Sequence, residues 1–482
     1  MGETPDLPGE ASRHPQRRVH AFTDDALGDH DAVGLVEELR AGRVSRRELV
    51  EAAIARTESL EEVLEGLACD DFDRARRRAE DEGAGFFAGV PTFVKDNADV
   101  AGLPTQQGTR AFVSRVAERH GAWAEAFLGT GLISLGKTRL SEFGFSASAE
   151  FADDEPVRNP WDTSYSSGAS SAGSAVFVAA GAVPIAHAND GGGSIRIPAA
   201  CNGLVGLKPS RGRTPGDRMN QQMPVRIVAD GVLTRSVRDT AAFLREIDRS
   251  RRNLSLPPVG DIRSPGRKRL RIALATHSVG DRATDSDTFE TVQHTGKLLE
   301  SMGHHVEEVQ PPVPEYFVSD FLDYWSMLAA ALTAGGRRQF GPTFDPSRTD
   351  NLTRGLARHA RRRLWRMPLA ITRLRTLHRG LRSFYERYDV ALTPVLARTT
   401  PKLGWLDPRQ PYDVVIANLL DWVTFTPLQN ATGDPAISLP MGADGNGMPI
   451  GVQLASSRGH EARLLELAYA LEEAQPFRRI QD

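Results

Sequence analysis

Residues 189–198 read NDGGGSIRIP, three glycines in a row followed by a serine. Glycine costs backbone entropy on folding, so a run of three needs a reason. One reason is a loop with unusual backbone angles in which Ser194 caps the next element. The other is an anion cradle, in which the amides of Gly191, Gly192, Gly193 and Ser194 converge on one oxygen. If Ser194 is a nucleophile, that oxygen is the oxyanion of a tetrahedral intermediate. A serine nucleophile needs a base. His187 stands seven residues earlier, but a lone histidine in an apolar strand is more often structural, and no nucleophile elbow G-x-S-x-G occurs in the chain. A different base is offered by Lys95, in the apolar run PTFVKDN, 75 residues before Ser170 of the serine-dense stretch YSSGASSAGSA. Burial disfavours the charged form of lysine. To act as a base at neutral pH, Lys95 has to fall by roughly three units from its ordinary value, about 4 kcal/mol of environment. The plainer reading of Lys95 is an ion pair with Asp96 or another carboxylate.

One further motif competes. GLISLGKT (131–138) matches the phosphate-loop pattern G-x-x-x-x-G-K-[ST] and suggests a nucleotide-binding protein. A phosphate loop must follow a strand and be a loop itself. Here Leu132–Leu135 read as the strand, and AWAEAFLGT before them as a helix, so the match is expected to be fortuitous.

These residues need a scaffold. DHDAVGLVEELRAG reads as a helix ended by Gly42, and VSRRELVEAAIARTESL as a second helix, opened by Ser45 and Glu48 at capping-box spacing. Strands are expected at 89–97, 132–137, 183–188, 270–275, 389–394, 435–440 and 449–456. A small-residue helix is expected at 172–181 and an amphipathic one at 460–474. This alternation over the whole length predicts a large mixed α/β sheet covered by helices. The 482 residues carry 40% hydrophobic and 25% charged side chains and a net charge of −3, values of a soluble globular chain rather than of a polyanion binder. Two cysteines, Cys69 and Cys201, exclude a disulfide framework or a cysteine zinc site. The longest apolar run, 173–186, is short of the ~20 residues that span a bilayer. Residues 1–21 read as a disordered lead-in without a signal peptide, and 250–268 as a surface connection. Residues 354–387 carry eleven arginines. They read as solvated helix faces, with Leu356, Leu364, Trp365, Leu374, Leu377 and Leu381 packed inward.

Taken in order, GVPTFVKDN, SSGASSAGSA and NDGGGSIRIPAACNGLVGLKPSRGR resemble the amidase signature family of serine hydrolases. VSRRELVEAAIAR, GLPTQQGT, LGKTRLSEFGF, NPWD, VLTRSVRDTA, LTPV and GDPAISLPMGADGNGMPIGVQLAS resemble family segments too, especially of hydrolases of cyclic aminohexanoate dimers and of aryl acylamidases. The resemblance implies a single domain over 22–482, with a core at 80–250, a variable helical pocket region at 310–430, and a large central mixed sheet with helices on both faces. It also implies a Ser–Ser–Lys triad in which Ser194 is the nucleophile, Ser170 the bridging serine after a cis peptide bond, and Lys95 the base. The amides of Gly191–Ser194 then form the oxyanion hole, with Ser171, Asp190 and Arg196 supporting the loop. Asp190 is expected to bind backbone amides and Arg196 to be ion-paired. Two departures stand out: the serine loop reads Gly168-Ala169-Ser170-Ser171-Ala172-Gly173-Ser174 where the family has G-G-S-S-G-G-S, and Asn189 replaces a threonine.

The implied reaction is hydrolysis of a carboxylic amide to an acid plus ammonia or an amine, with no metal and no cofactor. The implied setting is cytoplasmic, without nucleic acid or membrane, and a homodimer is a family-level expectation. An alternative within the family is the amidase subunit of a glutamine-dependent transfer-RNA amidotransferase, to which the arginine-rich stretch lends weight. Substrate contacts are expected from Gln106 and Gln107, and from aromatics of the 310–430 region, among them Tyr316, Phe317, Phe321, Tyr324, Trp325, Trp365, Trp405, Trp422 and Phe425.

Overall fold

The structure is a computed structural model that describes residues 18–279 and 283–482. Residues 1–17 of the expected lead-in lie outside the described residues. Its last residues are not loose: Val19 N donates to Pro160 O and Ala21 N to Ala180 O, each at 2.8 Å.

Eleven strands are described, β1 (Leu67–Asp70), β2 (Pro91–Lys95), β3 (Ile133–Thr138), β4 (Ile185–Asp190), β5 (Val205–Lys208), β6 (Ala229–Thr234), β7 (Arg271–Leu274), β8 (His305–Glu308), β9 (Val390–Pro394), β10 (Ala436–Ala443) and β11 (Pro449–Ala455). Eight form one mixed sheet in the order β4-β6-β5-β10-β11-β9-β7-β8. Pairing is antiparallel from β4 to β9 and parallel for β9-β7-β8. The expected sheet is therefore present, but β2 and β3 are not in it. They pair in parallel with each other, and with β1 make a separate three-stranded sheet. Side chains join the two sheets: Thr92 Oγ1 donates to Ile185 O at 2.8 Å, and Lys95 N donates to His187 Nδ1 at 3.2 Å.

Strand alternation explains why helices cover both faces of the large sheet. On one face Ile437, Leu439, Val452 and Leu454 pack with Leu464, Leu465 and Leu471 of the C-terminal helix Glu461–Ala474 and with Val292 and Leu299 of the helix Ser286–Ser301. Each such side chain contributes about 1.5–3 kcal/mol when fully buried. On the other face Gly451 and Gln453 meet the helix Arg196–Asn202. A Cβ on Gly451 would lie 2.5 Å from Ala200 Cβ, so glycine is what lets this helix sit so close to the sheet.

The capping box at Ser45 and Glu48 is formed, and opens the helix Arg46–Leu64. GLISLGKT is a strand over most of its length, with Lys137 buried and bound to Asp96 at 2.7 Å, so no phosphate-cradling loop exists there. The arginine-rich stretch is partly turned inward. Arg363 and Arg366 bind Asp323, and Arg373 lies 3.5 Å from Asp320; both acids are buried on the helix Tyr316–Phe340. Leu356, Leu374, Leu377 and Leu381 are buried as expected. Leu364 and Trp365 are not: they are 56% and 79% exposed, because they occupy the short turn Leu364–Arg366 between two helices.

A buried ion cluster ties the chain's end to its middle. Arg213, after β5, binds Asp248 at 2.8 Å and Glu461 at 2.9 Å, and Glu461 has no exposed surface. Burial acts to raise the Glu461 carboxyl, but Arg213 holds it below its ordinary value. Replacing Arg213 by Ala leaves two buried carboxylates without a cation, and the expected loss is about 3–5 kcal/mol. It is read as a fall in the urea midpoint, with part of the loss restored by adding Glu461→Gln; a loss below about 1 kcal/mol would contradict this assignment.

Candidate active site

Lys95 ends β2 with no exposed surface. The ring of Phe93, two residues before it, stacks on Phe177 of the helix Ala172–Ala179 at 5.0 Å between centroids, which sets the strand against that helix and its leading loop. The loop carries Ser170 and Ser171, and the Ala169–Ser170 peptide is cis. Lys95 Nζ lies 2.7 Å from Ser170 Oγ, 3.0 Å from Ser171 Oγ and 2.6 Å from Asn189 Oδ1. It forms no ion pair among the described residues, and Asp96, its expected partner in the plainer reading, is spent on Lys137.

Burial without a counter-ion lowers Lys95 to about 7, against the pull of Asp230 and Asp190. The neighbours fit an uncharged amine, which has two N–H donors and one lone pair. Asn189 Oδ1 can only accept. The Ser171 proton goes to Ser194 O at 2.5 Å, so toward Lys95 that hydroxyl accepts as well. In the uncharged form both N–H groups are thereby used and the lone pair faces the O–H of Ser170; in the charged form the third N–H donates to Ser170 Oγ. Behind Lys95, burial raises the Asp230 carboxyl to about 7, while Lys95 and Asn189 pull it down. His187 is buried, is held well below its ordinary value by burial and then by Lys95, and accepts from the Lys95 amide; it serves as a wall of this pocket and not as a partner of Ser194.

Ser194 follows the three glycines at the end of β4, 7% exposed. Its carbonyl is tied to Ser171, and through Ser171 to Lys95; a direct hydroxyl contact between Ser170 and Ser194 is not among the hydrogen bonds of the described residues. Among the described residues the amides of Gly191, Gly192, Gly193 and Ser194 donate to no main-chain acceptor, which leaves four successive N–H groups available at the turn. Only Gly193 is forced to be glycine. Its φ is +140°, and a Cβ there would lie 2.4 Å from Thr426 Oγ1 and 2.6 Å from Ile197 Cδ1.

The turn is anchored from below by Arg196. Its guanidinium reaches both oxygens of Asp190 at 2.9 Å, Gln453 Oε1 at 2.6 Å, Asn430 Oδ1 at 2.8 Å and Gln429 Oε1 at 3.1 Å, all of it buried. Burial acts to raise Asp190, yet Arg196 holds it below its ordinary value. Asp190 was expected to hold backbone amides. It takes one, from Ile195 at 3.3 Å, and its main partner is Arg196.

Ser194 opens on a cavity of about 410 Å³. Ala169, Gly192, Gly144, Phe145, Phe321 and Trp325 line it, with Phe317, Leu419 and Val423; among the described residues Glu315 is the only charged one lining it. Of the aromatics named from sequence, Phe317, Phe321 and Trp325 reach this cavity. Tyr324 turns away to bind Val225, Trp365 is exposed, and Trp405 and Trp422 pack on each other. Gln106 and Gln107 do not reach it. Gln106 donates to Thr109 O and Phe112 O and lines a separate polar cavity, while Gln107 is buried with its amide near Asn97 O. Asn189 is the site residue that sequence reasoning registered as a departure without giving it a role. Its position directly before Asp190 on β4, opposite a buried lysine, was the available signal.

No group of three or more His, Cys, Asp or Glu side chains among the described residues could hold a metal ion. No described helix is long and apolar enough to cross a membrane.

Comparison with known proteins bears on the family and the fold. The Amidase family profile matches residues 48–465. AmiC of Mycobacterium leprae (strain TN) is 58% identical over 466 residues, covering 96% of this chain and 99% of that protein. The solved structure of 6-aminohexanoate cyclic dimer hydrolase superposes with a TM-score of 0.86 at 29% identity, over 95% of this chain and 99% of that one. A bacterial aryl acylamidase of the amidase signature family superposes with a TM-score of 0.82 at 25% identity, over 93% of this chain and 96% of that one. With this extent of match, the chain belongs to the amidase signature family and is an amide-hydrolysing α/β enzyme.

Proposed function

We propose that the enzyme hydrolyses a neutral carboxylic amide with an apolar acyl arm, through an acyl-enzyme on Ser194. The observation that carries this reading is the placement of Lys95: a buried amine, lowered to about 7, 2.7 Å from the Ser170 hydroxyl.

The substrate carbonyl sits over Ser194 with its oxygen toward the free amides of Gly191–Ser194. Lys95 takes the proton of Ser170, and Ser170 takes that of Ser194, as a C–O bond forms to the carbonyl carbon. The oxyanion is held by the amides, each donor contributing about 3–4 kcal/mol in comparable sites. The proton then returns by the same path to the nitrogen as the C–N bond breaks, since an amine cannot leave as an anion. Water enters and gives a proton to the same relay as its oxygen bonds to the carbonyl carbon; the bond to Ser194 Oγ then breaks, the proton returns to Ser194, and the acid leaves. The reading requires a Ser170–Ser194 hydrogen bond to form when substrate is bound, as catalytic hydrogen bonds commonly do. Phe145, Phe321 and Trp325 receive the apolar arm.

Ser194→Ala, Lys95→Ala and Ser170→Ala are each expected to lower kcat at least about a thousandfold on any accepted amide, because the three act as a unit. A fluorophosphonate probe is expected to label the Ser194 peptide of the wild type. An active enzyme that leaves that peptide unlabelled would refute the nucleophile assignment.

The pH profile follows from the sign of the Lys95 shift. The base works uncharged, so kcat/KM is expected to rise with pH through about 7 and level off above it. Asn189→Asp puts a carboxylate where Asn189 Oδ1 now lies, 2.6 Å from the amine, favours the charged form, and is expected to move the rise to higher pH by one unit or more. A profile flat from about pH 5 to 9, or unmoved in the variant, would count against a lysine base.

A further inference from the structure

Beside the Ser194 cavity lies a second one of about 250 Å³. The two share Val279, Glu315, Phe317 and Thr424 as a common wall. Much of the second chamber's lining is apolar, with Leu381, Phe384 and Leu428 among it, so its polar groups stand out. Ser278 Oγ and Thr424 Oγ1 are both buried and have no hydrogen-bond partner among the described residues. Buried hydroxyls are nearly always paired, by protein, by water or by a ligand. Ser278 is only 8% exposed, so solvent outside the cavity does not serve it. Two more donors stand on the same wall. Gln429 spends its carboxamide oxygen on Arg196, and its NH2 end has no hydrogen-bond partner among the described residues. Tyr385 brings a phenol that burial keeps protonated.

All four groups can donate a hydrogen bond, and among the described residues the lining holds no lysine or arginine, His277 being the one side chain there that can carry a positive charge. An anionic group would have only that imidazole to meet it and would face Glu315. A carbonyl oxygen would find several donors at once. We propose that this chamber is a subsite for the far end of the substrate, and that it selects amides whose apolar acyl arm carries a second, uncharged hydrogen-bond acceptor such as a ketone or amide carbonyl. This rests on the reading of Ser194 as the nucleophile. The reacting carbonyl and the first part of the chain occupy the cavity at Ser194; the chain passes Phe317 and Thr424 and places its second carbonyl among Ser278, Tyr385 and Gln429.

The test uses nonanoyl p-nitroanilide and a set of analogues in which one methylene of the distal half of the chain is a ketone, a near-isosteric change. The wild-type enzyme is expected to prefer one of the ketones over the plain chain in kcat/KM. Ser278→Ala and Tyr385→Phe are each expected to cut that preference about tenfold, the loss of one hydrogen bond to a buried partner. Tyr385→Phe removes a single oxygen and keeps the ring, so the test stands even if Ser278→Ala does not fold. A wild type that prefers the plain chain throughout, or a preference equal in wild type and both variants, overturns the subsite; ordered water then accounts for the unpaired hydroxyls. If no nitroanilide is turned over while the probe still labels Ser194, the subsite is wrong and the hydrolase reading survives. If neither turnover nor labelling occurs, the hydrolase reading itself has failed.

Discussion

One lysine kept in the interior without a counter-ion is the constraint on which the site depends. Carboxylates are close at hand, and each that could pin Lys95 in its charged form is engaged elsewhere. Asp96, adjacent in sequence, is bound by Lys137. Asp190 is held at both oxygens by Arg196. Asp230 is itself raised to about 7 by burial, so its negative charge is weakened where it would matter most. What remains around the amine is neutral: two hydroxyls and a carboxamide oxygen. Desolvation then decides the protonation state, since no single attraction is large enough to offset it.

The same division of partners shapes the turn beside it. Arg196 draws Asp190, Gln429, Asn430 and Gln453 to one guanidinium, and so fixes the end of β4 to β11 and to the helix Pro427–Thr432. With the side chain of Asp190 occupied in that way, the N–H groups above it are not consumed by it, except for the weak bond from Ile195. A loop rich in glycine is kept rigid by a buried ion pair below it rather than by bonds to its own amides. Removing one partner of such a pair leaves an uncompensated charge, which is why this arrangement holds the turn so firmly.

Much of this was legible in the chain. Lys95 and Ser194 stood out because a lysine in an apolar strand and glycines before a serine are unusual, but residue types alone favoured an ion pair and a loop; their pairing with Ser170 came from the resemblance, and the structure places Lys95 Nζ 2.7 Å from Ser170 Oγ. The strands β2, β3, β4, β7, β9, β10 and β11 were legible from short apolar runs. β1 and β8 were not, because Leu67–Asp70 and His305–Glu308 are half-polar edge strands, and β5 and β6 were not, because Val205–Lys208 is only four residues long and Ala229–Thr234 opens with Ala-Asp-Gly although both are buried. Leu364 and Trp365 misled because periodicity continues through a break that only the turn between two helices reveals. Gln106 and Gln107 misled because proximity in sequence to Lys95 is not proximity to the cavity: the chain turns at Asn97, and Gln106 folds back on Thr109 and Phe112. The partners of Arg196 were hidden for the opposite reason, since Gln429 and Gln453 come from more than 230 residues away.

The walls of the Ser194 cavity bear on the same electrostatics. Charges and dipoles interact more strongly where water is excluded. Around Ser194 the protein supplies Phe145, Phe321, Leu419 and Trp325, but the cavity is open to solvent until something fills it. On the proposed reading, an apolar acyl arm completes the low-dielectric enclosure: it displaces water from the glycine amides and from the approach to Ser170 at the moment the oxyanion forms. Binding of the arm and stabilisation of the transition state are then linked through water, and a truncated substrate loses rate as well as affinity. On that reading, selectivity for an apolar chain follows from needing an uncharged amine and unshielded amides in one place.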